Sequence, residues 1–329
     1  MRRVVAQASP SLALIKYWGK CDGGVNIPAT TSVAVALDAL VTTTEVSEVS
    51  EAAEAPGAPT DDDVLLVEGV HDTSTGLRRF FDAARKLMPD LPRISARSTN
   101  NFPTAAGLAS SSSGFAALAA ALSALSATSP PPDTVSRLAR VGSGSAARAV
   151  FGGFTLFRRG ADHAEQVFDS HHWPELCVVV AAVGKERKPI SSRQAMIRAA
   201  ETSPFFSGWV EVNEALVEQA LGALESRDLE RLGVLMRRSY LAMFSTMFTS
   251  DPPVLYWLPE TVAVLRLAEQ LRAAGVGVFE TMDAGPQVKL VCEARDLETV
   301  VASLQERLPE VHITESVVGG PASIAHDDP

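Results

Sequence analysis

The apolar and polar positions of this chain fall into patterns that predict strands and helices in roughly equal measure. Val4 to Ala8 reads as a first strand, broken at Ser9-Pro10-Ser11, and Leu12-Ala13-Leu14-Ile15 runs into Lys16-Tyr17-Trp18-Gly19-Lys20. Cys21-Asp22-Gly23-Gly24 then reads as a turn. Thr31 to Glu45 is rich in Val and Thr and alternates as strands do. Glu48 to Asp63 has almost no large apolar residue and reads as a solvated loop with freedom to move. Strand character resumes at Val64 to Val67. Thr75 to Met88 places Leu77, Phe80, Phe81, Ala84 and Leu87 on one helical face, ending at Pro89. Ile94 to Ser98 predicts a strand, and Phe115 to Leu125 an Ala/Leu helix.

Beyond this helix, Ser129-Pro130-Pro131-Pro132-Asp133 is a stiff connector whose Asp133 is placed to cap a helix over Thr134 to Arg140. Phe151-Gly152-Gly153-Phe154 opens another strand, and the unbroken apolar run Cys177 to Val183 predicts a buried one. Gly184-Lys185-Glu186-Arg187-Lys188 is polar and cationic, suited to a mobile loop and to the boundary between two domains, 1–184 and 185–329. The second part is mostly helical, over Val210 to Leu224, Leu229 to Ser245 and Leu258 to Ala274. Two strands, Val276 to Glu280 and Val288 to Cys292, flank Thr281-Met282-Asp283-Ala284-Gly285-Pro286. The expected fold class is therefore α/β (α+β), and no repeat is visible.

Composition narrows the function classes. A chain of 329 residues, 46% hydrophobic and 21% charged, has the make-up of a globular protein with a substantial core. Its net charge of −10 speaks against nucleic acid as partner. It leaves room for a small anionic substrate met by a few focused cations. No stretch has the length and apolarity of a membrane span or signal peptide, so a cytoplasmic location is the expectation. Cys21, Cys177 and Cys292 are odd in number and far apart, which reads as reduced thiols. The six histidines show no metal-binding spacing.

The most informative stretch is Asn100 to Phe115, where the small-residue loop Pro103 to Ala109 feeds four serines and then the Ala/Leu helix. Free N–H groups and the positive helix end at such a junction suit an anion, and the serines can also cap. No lysine stands in this loop, so it is not a Walker-type phosphate loop. The same residues serve equally as an ordinary capped helix. Three further segments carry the groups an anion needs. These are Lys16 to Lys20, Ser143-Gly144-Ser145-Ala146-Ala147-Arg148, and Lys188-Pro189-Ile190-Ser191-Ser192-Arg193. Taken singly, each is also a plain strand end, capped helix or linker. Asp283, alone among Met282, Ala284, Gly285 and Pro286, is either a functional carboxylate or an Asx-turn.

Taken together and in order, these segments resemble the diphosphomevalonate decarboxylases of the GHMP small-molecule kinase superfamily. The resemblance runs through Ile15 to Lys20, Asn100 to Ser111, Gly142 to Ser145 with Arg148, and Gly152-Gly153-Phe154. It continues through His172 to Leu176, Ser192-Arg193 with Met196, Glu201 to Pro204, and Asp283 to Pro286. It implies a two-domain GHMP-kinase-like fold with the active site in the cleft between domains, and a homodimer. It also implies ATP and Mg²⁺ as cofactors. The implied reaction phosphorylates the tertiary hydroxyl of mevalonate 5-diphosphate, then loses phosphate and CO₂ to give isopentenyl diphosphate.

By the same resemblance Asp283 and Lys16 are catalytic. Tyr17, Lys20, Ser143, Ser145, Arg148, Ser192 and Arg193 bind the substrate. Pro103, Ala105, Ala106, Gly107, Leu108, Ala109, Ser110, Ser111 and Lys188 bind ATP, with Ser110 near the metal. The chain departs from the family pattern at Cys21, Thr30, Ala195, Leu241 and Phe244. The alternatives are the same chemistry on mevalonate 5-phosphate or another β-hydroxy acid, a 3-kinase without decarboxylation, and a catalytically silent phosphate-binding protein.

Overall fold

A computed structural model of the protein describes residues 2–21, 25–49, 63–102, 110–184 and 188–325. Most of the expected turn at 21–24 and of the expected loop at 48–63, the small-residue loop at 103–109 and the centre of the cationic loop, 185–187, lie outside the described residues.

The chain begins with β1 (Arg3–Ala8), β2 (Ser11–Ile15), β3 (Ser32–Ala36), β4 (Thr42–Glu48), β5 (Val64–Val67) and β6 (Val70–His71). Then follow α1 (Thr75–Leu87), β7 (Ile94–Asn100), α2 (Ser110–Leu125), α3 (Pro132–Gly142) and α4 (Ala146–Ala149). Next are β8 (Phe154–Phe157), β9 (Glu165–Phe168), β10 (Leu176–Ala182), α5 (Ser192–Thr202), α6 (Phe206–Glu225), α7 (Leu229–Phe248) and α8 (Pro259–Ala273). The last elements are β11 (Val278–Met282), β12 (Val288–Glu293), α9 (Ala294–Arg307), β13 (His312–Val317) and β14 (Ser323–Ala325). This is the mixed α/β class expected. Among the described residues no helix is long and apolar enough to cross a membrane.

The strands form three sheets, ordered β14-β1-β4-β7-β5-β6, β2-β3-β8-β9 and β11-β12-β10-β13. Their pairings are antiparallel except for β5 with β7. Two strands cross between the halves of the sequence. β10 lies between β12 and β13, and β14 returns to β1.

The first sheet carries α1 to α3 on one core, where α2 packs on β1 and β4. Past its serines α2 is apolar on nearly every side and is buried over most of its surface, with Ser111 and Ala124 exposed. α6 and α7 pack on each other, and α7 also lies against β11.

Local chemistry sets the helix ends. Ser74 accepts from Leu77 N and starts α1, and Ser191 with Gln194 forms a capping box on α5. Asp133 does not cap α3. Pro132 takes the first helical position, so the cap moves back to Pro131 and Asp133 lies within the first turn. The four serines likewise form the first turn of α2 itself, with Ser112 and Ser113 buried. Beyond the elements expected from the sequence, the structure has β6, α5, β9, α9, β13 and β14. α9 does carry helical spacing, with Leu297, Val300, Val301, Leu304 and Leu308 packed on the core and Val300 and Leu304 fully buried.

Candidate active site

β2 ends at Ile15, and the next residue turns inward. The Lys16 N–H donates to Ser239 Oγ at 2.9 Å, and Ser239 donates to Asn213 Oδ1 at 2.7 Å. Asn213 Nδ2 donates to the carbonyls of Lys16 at 3.2 Å and Thr31 at 2.8 Å. α6 and α7 thus fix the backbone from which the Lys16 side chain starts. Its Nζ, on a residue 1% exposed, donates to Ala13 O and to Asp283 Oδ1, the latter at 3.0 Å.

Asp283 follows β11 in the turn to β12, and its second oxygen, Oδ2, lies 3.3 Å from Lys289 Nζ. Burial works against ionisation of Asp283, but the charges of Lys16 and Lys289 outweigh it and hold the carboxyl well below its usual range. Burial, only partly offset by Asp283, lowers Lys16 to about 8.

Above this ion cluster opens a cavity of about 590 Å³. Of the residues expected in the site, Tyr17, Lys20, Ser110, Ser111, Ser143, Ser145, Arg148, Lys188, Ser192, Arg193 and Asp283 all line it. Lys16 lies behind Asp283, and the loop 103–109 is outside the described residues. Elements distant in sequence therefore converge on one space.

Arg148 is 2% exposed and ties two strands together, with Nη1 to Ser32 Oγ at 2.6 Å and Nε to Ser11 Oγ at 3.3 Å. Burial lowers it to about 10. Its guanidinium lies 5.9 Å from the centre of the Tyr17 ring, which stacks on Phe157. The Tyr17 hydroxyl is buried with no hydrogen-bond partner among the described residues, and burial raises it to about 12. A Cβ on Gly144 would overlap that hydroxyl, so glycine is the residue that leaves the Tyr17 ring in place.

Asn26, in left-handed backbone at φ 58°, joins two cations. Its Oδ1 accepts from Lys20 Nζ at 2.6 Å and Arg193 Nη2 at 3.3 Å, while its Nδ2 donates to the carbonyls of Arg140 and Val141. Burial and Arg193 lower Lys20 to about 8. Lys188 Nζ donates to Ser192 Oγ at 2.9 Å and Ala284 O at 2.8 Å, and burial lowers it too, to about 8.

A second, smaller cavity of about 180 Å³ adjoins the first, with Ser110 and Ser111 lining both. Thr42, Leu65, Val67, Asn100 and Phe115 contribute to its wall. A mixed apolar and polar groove leading past a helix N-terminus into a cationic cavity fits a nucleotide whose phosphates point inward. Among the described residues no three His, Cys, Asp or Glu side chains cluster as metal ligands. The hydroxyls of Ser110 and Ser111 fit a Mg²⁺ carried mainly by phosphate oxygens and water.

Sequence reasoning missed Lys289, Asn26 and the Ser239–Asn213 bracket. A lysine inside the apolar strand Val288 to Cys292 was the available signal for the first. None of the five family departures lines the large cavity. Thr30 is buried and receives the Trp18 N–H at 3.3 Å, and Cys21 donates to Pro28 O. Ala195 and Phe244 are core residues, and Leu241 faces outward at 39% exposure. Met243, beside Phe244, is the α7 residue that reaches the cavity.

Comparison with known proteins places this geometry. A diphosphomevalonate decarboxylase-like N-terminal domain model matches residues 8–168, and a mevalonate 5-diphosphate decarboxylase C-terminal domain model matches 178–327. The diphosphomevalonate decarboxylase of Aspergillus fumigatus is 32% identical over 92% of this chain and 80% of its own. The crystal structure of mevalonate diphosphate decarboxylase from Staphylococcus aureus is 30% identical, with a TM-score of 0.89 over 99% of this chain and 98% of its own. A solved complex of MDDEF with MVAPP, AMPPCP and magnesium has a TM-score of 0.89 at 33% identity, over 98% of this chain and 99% of its own.

Proposed function

The chain belongs to the diphosphomevalonate decarboxylase family, and on that premise we propose that it converts mevalonate 5-diphosphate and ATP to isopentenyl diphosphate, ADP, phosphate and CO₂. The observation that carries the reading is Asp283, held between Lys16 and Lys289 at the base of a cavity walled by cations and hydroxyls.

Asp283 accepts a hydrogen bond from the tertiary hydroxyl of the substrate and orients its oxygen for attack. A carboxyl held so far below its usual range is a weak base, so orientation and charge are its main contributions. That suffices for phosphoryl transfer, where positioning and electrostatics dominate. Mg²⁺-ATP supplies the phosphoryl group that turns the hydroxyl into a leaving group. As that phosphate departs, positive charge grows at the tertiary carbon, and the fixed Asp283 anion stabilises it. Lys16 keeps Asp283 ionised and in place.

Lys20, Arg193, Ser143, Ser145, Ser192 and Tyr17 bind the substrate's diphosphate and hydroxyl oxygens, and Arg148 its carboxylate. Pro103 to Ser111 and Lys188 hold the ATP phosphates, with Ser110 toward the metal. So many donors around one cavity suit a diphosphate better than a monophosphate. A cytoplasmic homodimer divided into 1–184 and 185–329 completes the proposal. The two domains share sheets, because β10 and β14 pair across the boundary. Steady-state kinetics with each substrate tests the reading. A higher kcat/KM for the diphosphate is expected, and a higher kcat/KM for mevalonate 5-phosphate overturns the substrate assignment.

A further inference from the structure

Lys289 is a cation inside β12, flanked by Val288, Leu290, Val291 and Cys292, on a residue 3% exposed. A lysine is not buried at low cost unless a counter-charge meets it. Sheet register explains which one does. Lys289 pairs with Thr281 across the β11–β12 ladder, and Asp283 stands two positions beyond Thr281, on the same face. The Lys289 ammonium lies 3.3 Å from Asp283 Oδ2, and Lys16 holds Oδ1 at 3.0 Å. Each carboxylate oxygen therefore has its own buried lysine, one from β12 and one from the end of β2.

We propose that Lys289 is a positioning residue of this site, which with Lys16 fixes the plane of the Asp283 carboxylate against the substrate hydroxyl. One cation would leave the carboxylate free to turn about its bond to Cβ. Two cations on separate oxygens stop that turn. The inference rests on the reading of the site given above.

The charges around Lys16 make it measurable. Lys16 faces Asp283 from the β11–β12 turn, Lys289 from β12 and Arg148 from α4. Lys188, ahead of α5, faces Lys289 and Asp283. After burial, Lys289 is among the causes that hold Lys16 and Lys188 near 8. Without it, both keep their protons to higher pH.

The test is Lys289→Met, with wild-type turnover measured first. Expected are a kcat lower by roughly 10- to 100-fold from misplacement of Asp283, and a substrate KM changed by less than about threefold. The Lys16 titration moves to higher pH, while Lys20, lowered by burial and Arg193 and not by Lys289, keeps the alkaline limb of the kcat/KM profile near its wild-type place. Should this variant fail to fold, Lys289→Gln keeps a hydrogen-bond donor in the slot and gives the same readouts. The Lys16 titration is also followed in the ligand-free protein by ¹³C NMR of labelled lysine, assigned with Lys16→Arg. That measurement needs no turnover, so a failure of the functional reading and a failure of the Lys289 inference are distinguishable. A Lys16 titration left at its wild-type position, or a loss confined to KM, overturns the inference.

Discussion

Replacing Asp283 by Asn removes the one negative charge between two buried lysines while keeping its size. The Lys16 and Lys289 side chains are 1% and 4% exposed and Asp283 is 27% exposed, so solvent does little to replace the lost partner. At contacts of 3.0 and 3.3 Å each attraction is about 5 kcal/mol at an effective dielectric constant of about 20, before desolvation is counted. Removing one partner of a buried pair costs roughly 3–5 kcal/mol, and that is the loss of stability expected near pH 7. The sign of its pH dependence follows from the lysines. Unfolded lysine keeps its proton to about pH 10.4, whereas in the variant the folded Lys16 releases it below the native value of about 8. The unfolded chain then binds more protons over that window, and the variant gains stability as pH rises. The deficit against the native chain is therefore largest below pH 7, shrinks toward pH 8, and is flat above it. Urea unfolding of the ligand-free proteins at pH 6, 7, 8 and 9 measures it, with equal m-values as the control. A deficit under about 1 kcal/mol, or one independent of pH, refutes the charge cluster. Turnover of the same variant falls by at least about 10²- to 10³-fold.

Two other outcomes are expected. Burial lowers Lys16, Lys20 and Lys188 to about 8, so kcat/KM stays level below pH 7.5 and falls as pH passes that value and the cavity loses positive charge. A profile level to pH 9.5 contradicts this. Gly144→Ala pushes the Tyr17 ring away from its place against Phe157, raising the substrate KM and costing roughly 1–3 kcal/mol of stability. Wild-type KM and unfolding midpoint in that variant would mean that the Tyr17 hydroxyl has room to move.

The candidate site was legible because its parts are local. Strand end with lysine, serine turn with arginine and lone aspartate in a Gly-Pro turn each have a signature within a few residues. What joins them is not local. Lys289 is functional only because the β11–β12 register sets it beside Asp283. In sequence it was one polar residue in an apolar strand, which fits an edge strand equally well. Asn26 joins Lys20 to Arg193, which lies 167 positions away from it in sequence, and nothing near it announces that reach. The main helices were visible as periodic stripes, with α1 and α7 close to the expected limits. α9 has a helical stripe of its own at Leu297, Val300, Val301 and Leu304, whereas the short strands β9 and β14 bury too little apolar surface to leave a pattern. Of the departures from the family pattern, Phe244 changes the packing against Trp257 and Phe248, not the cavity wall.

Product stoichiometry tests most directly the proposed coupling, at one site, of phosphoryl transfer to loss of CO₂. ADP and CO₂ are to be followed together in single reactions with ATP, Mg²⁺ and mevalonate 5-diphosphate. One CO₂ for each ADP is expected, with isopentenyl diphosphate as product. ADP formed without CO₂, alongside a stable 3-phosphorylated product, would contradict it.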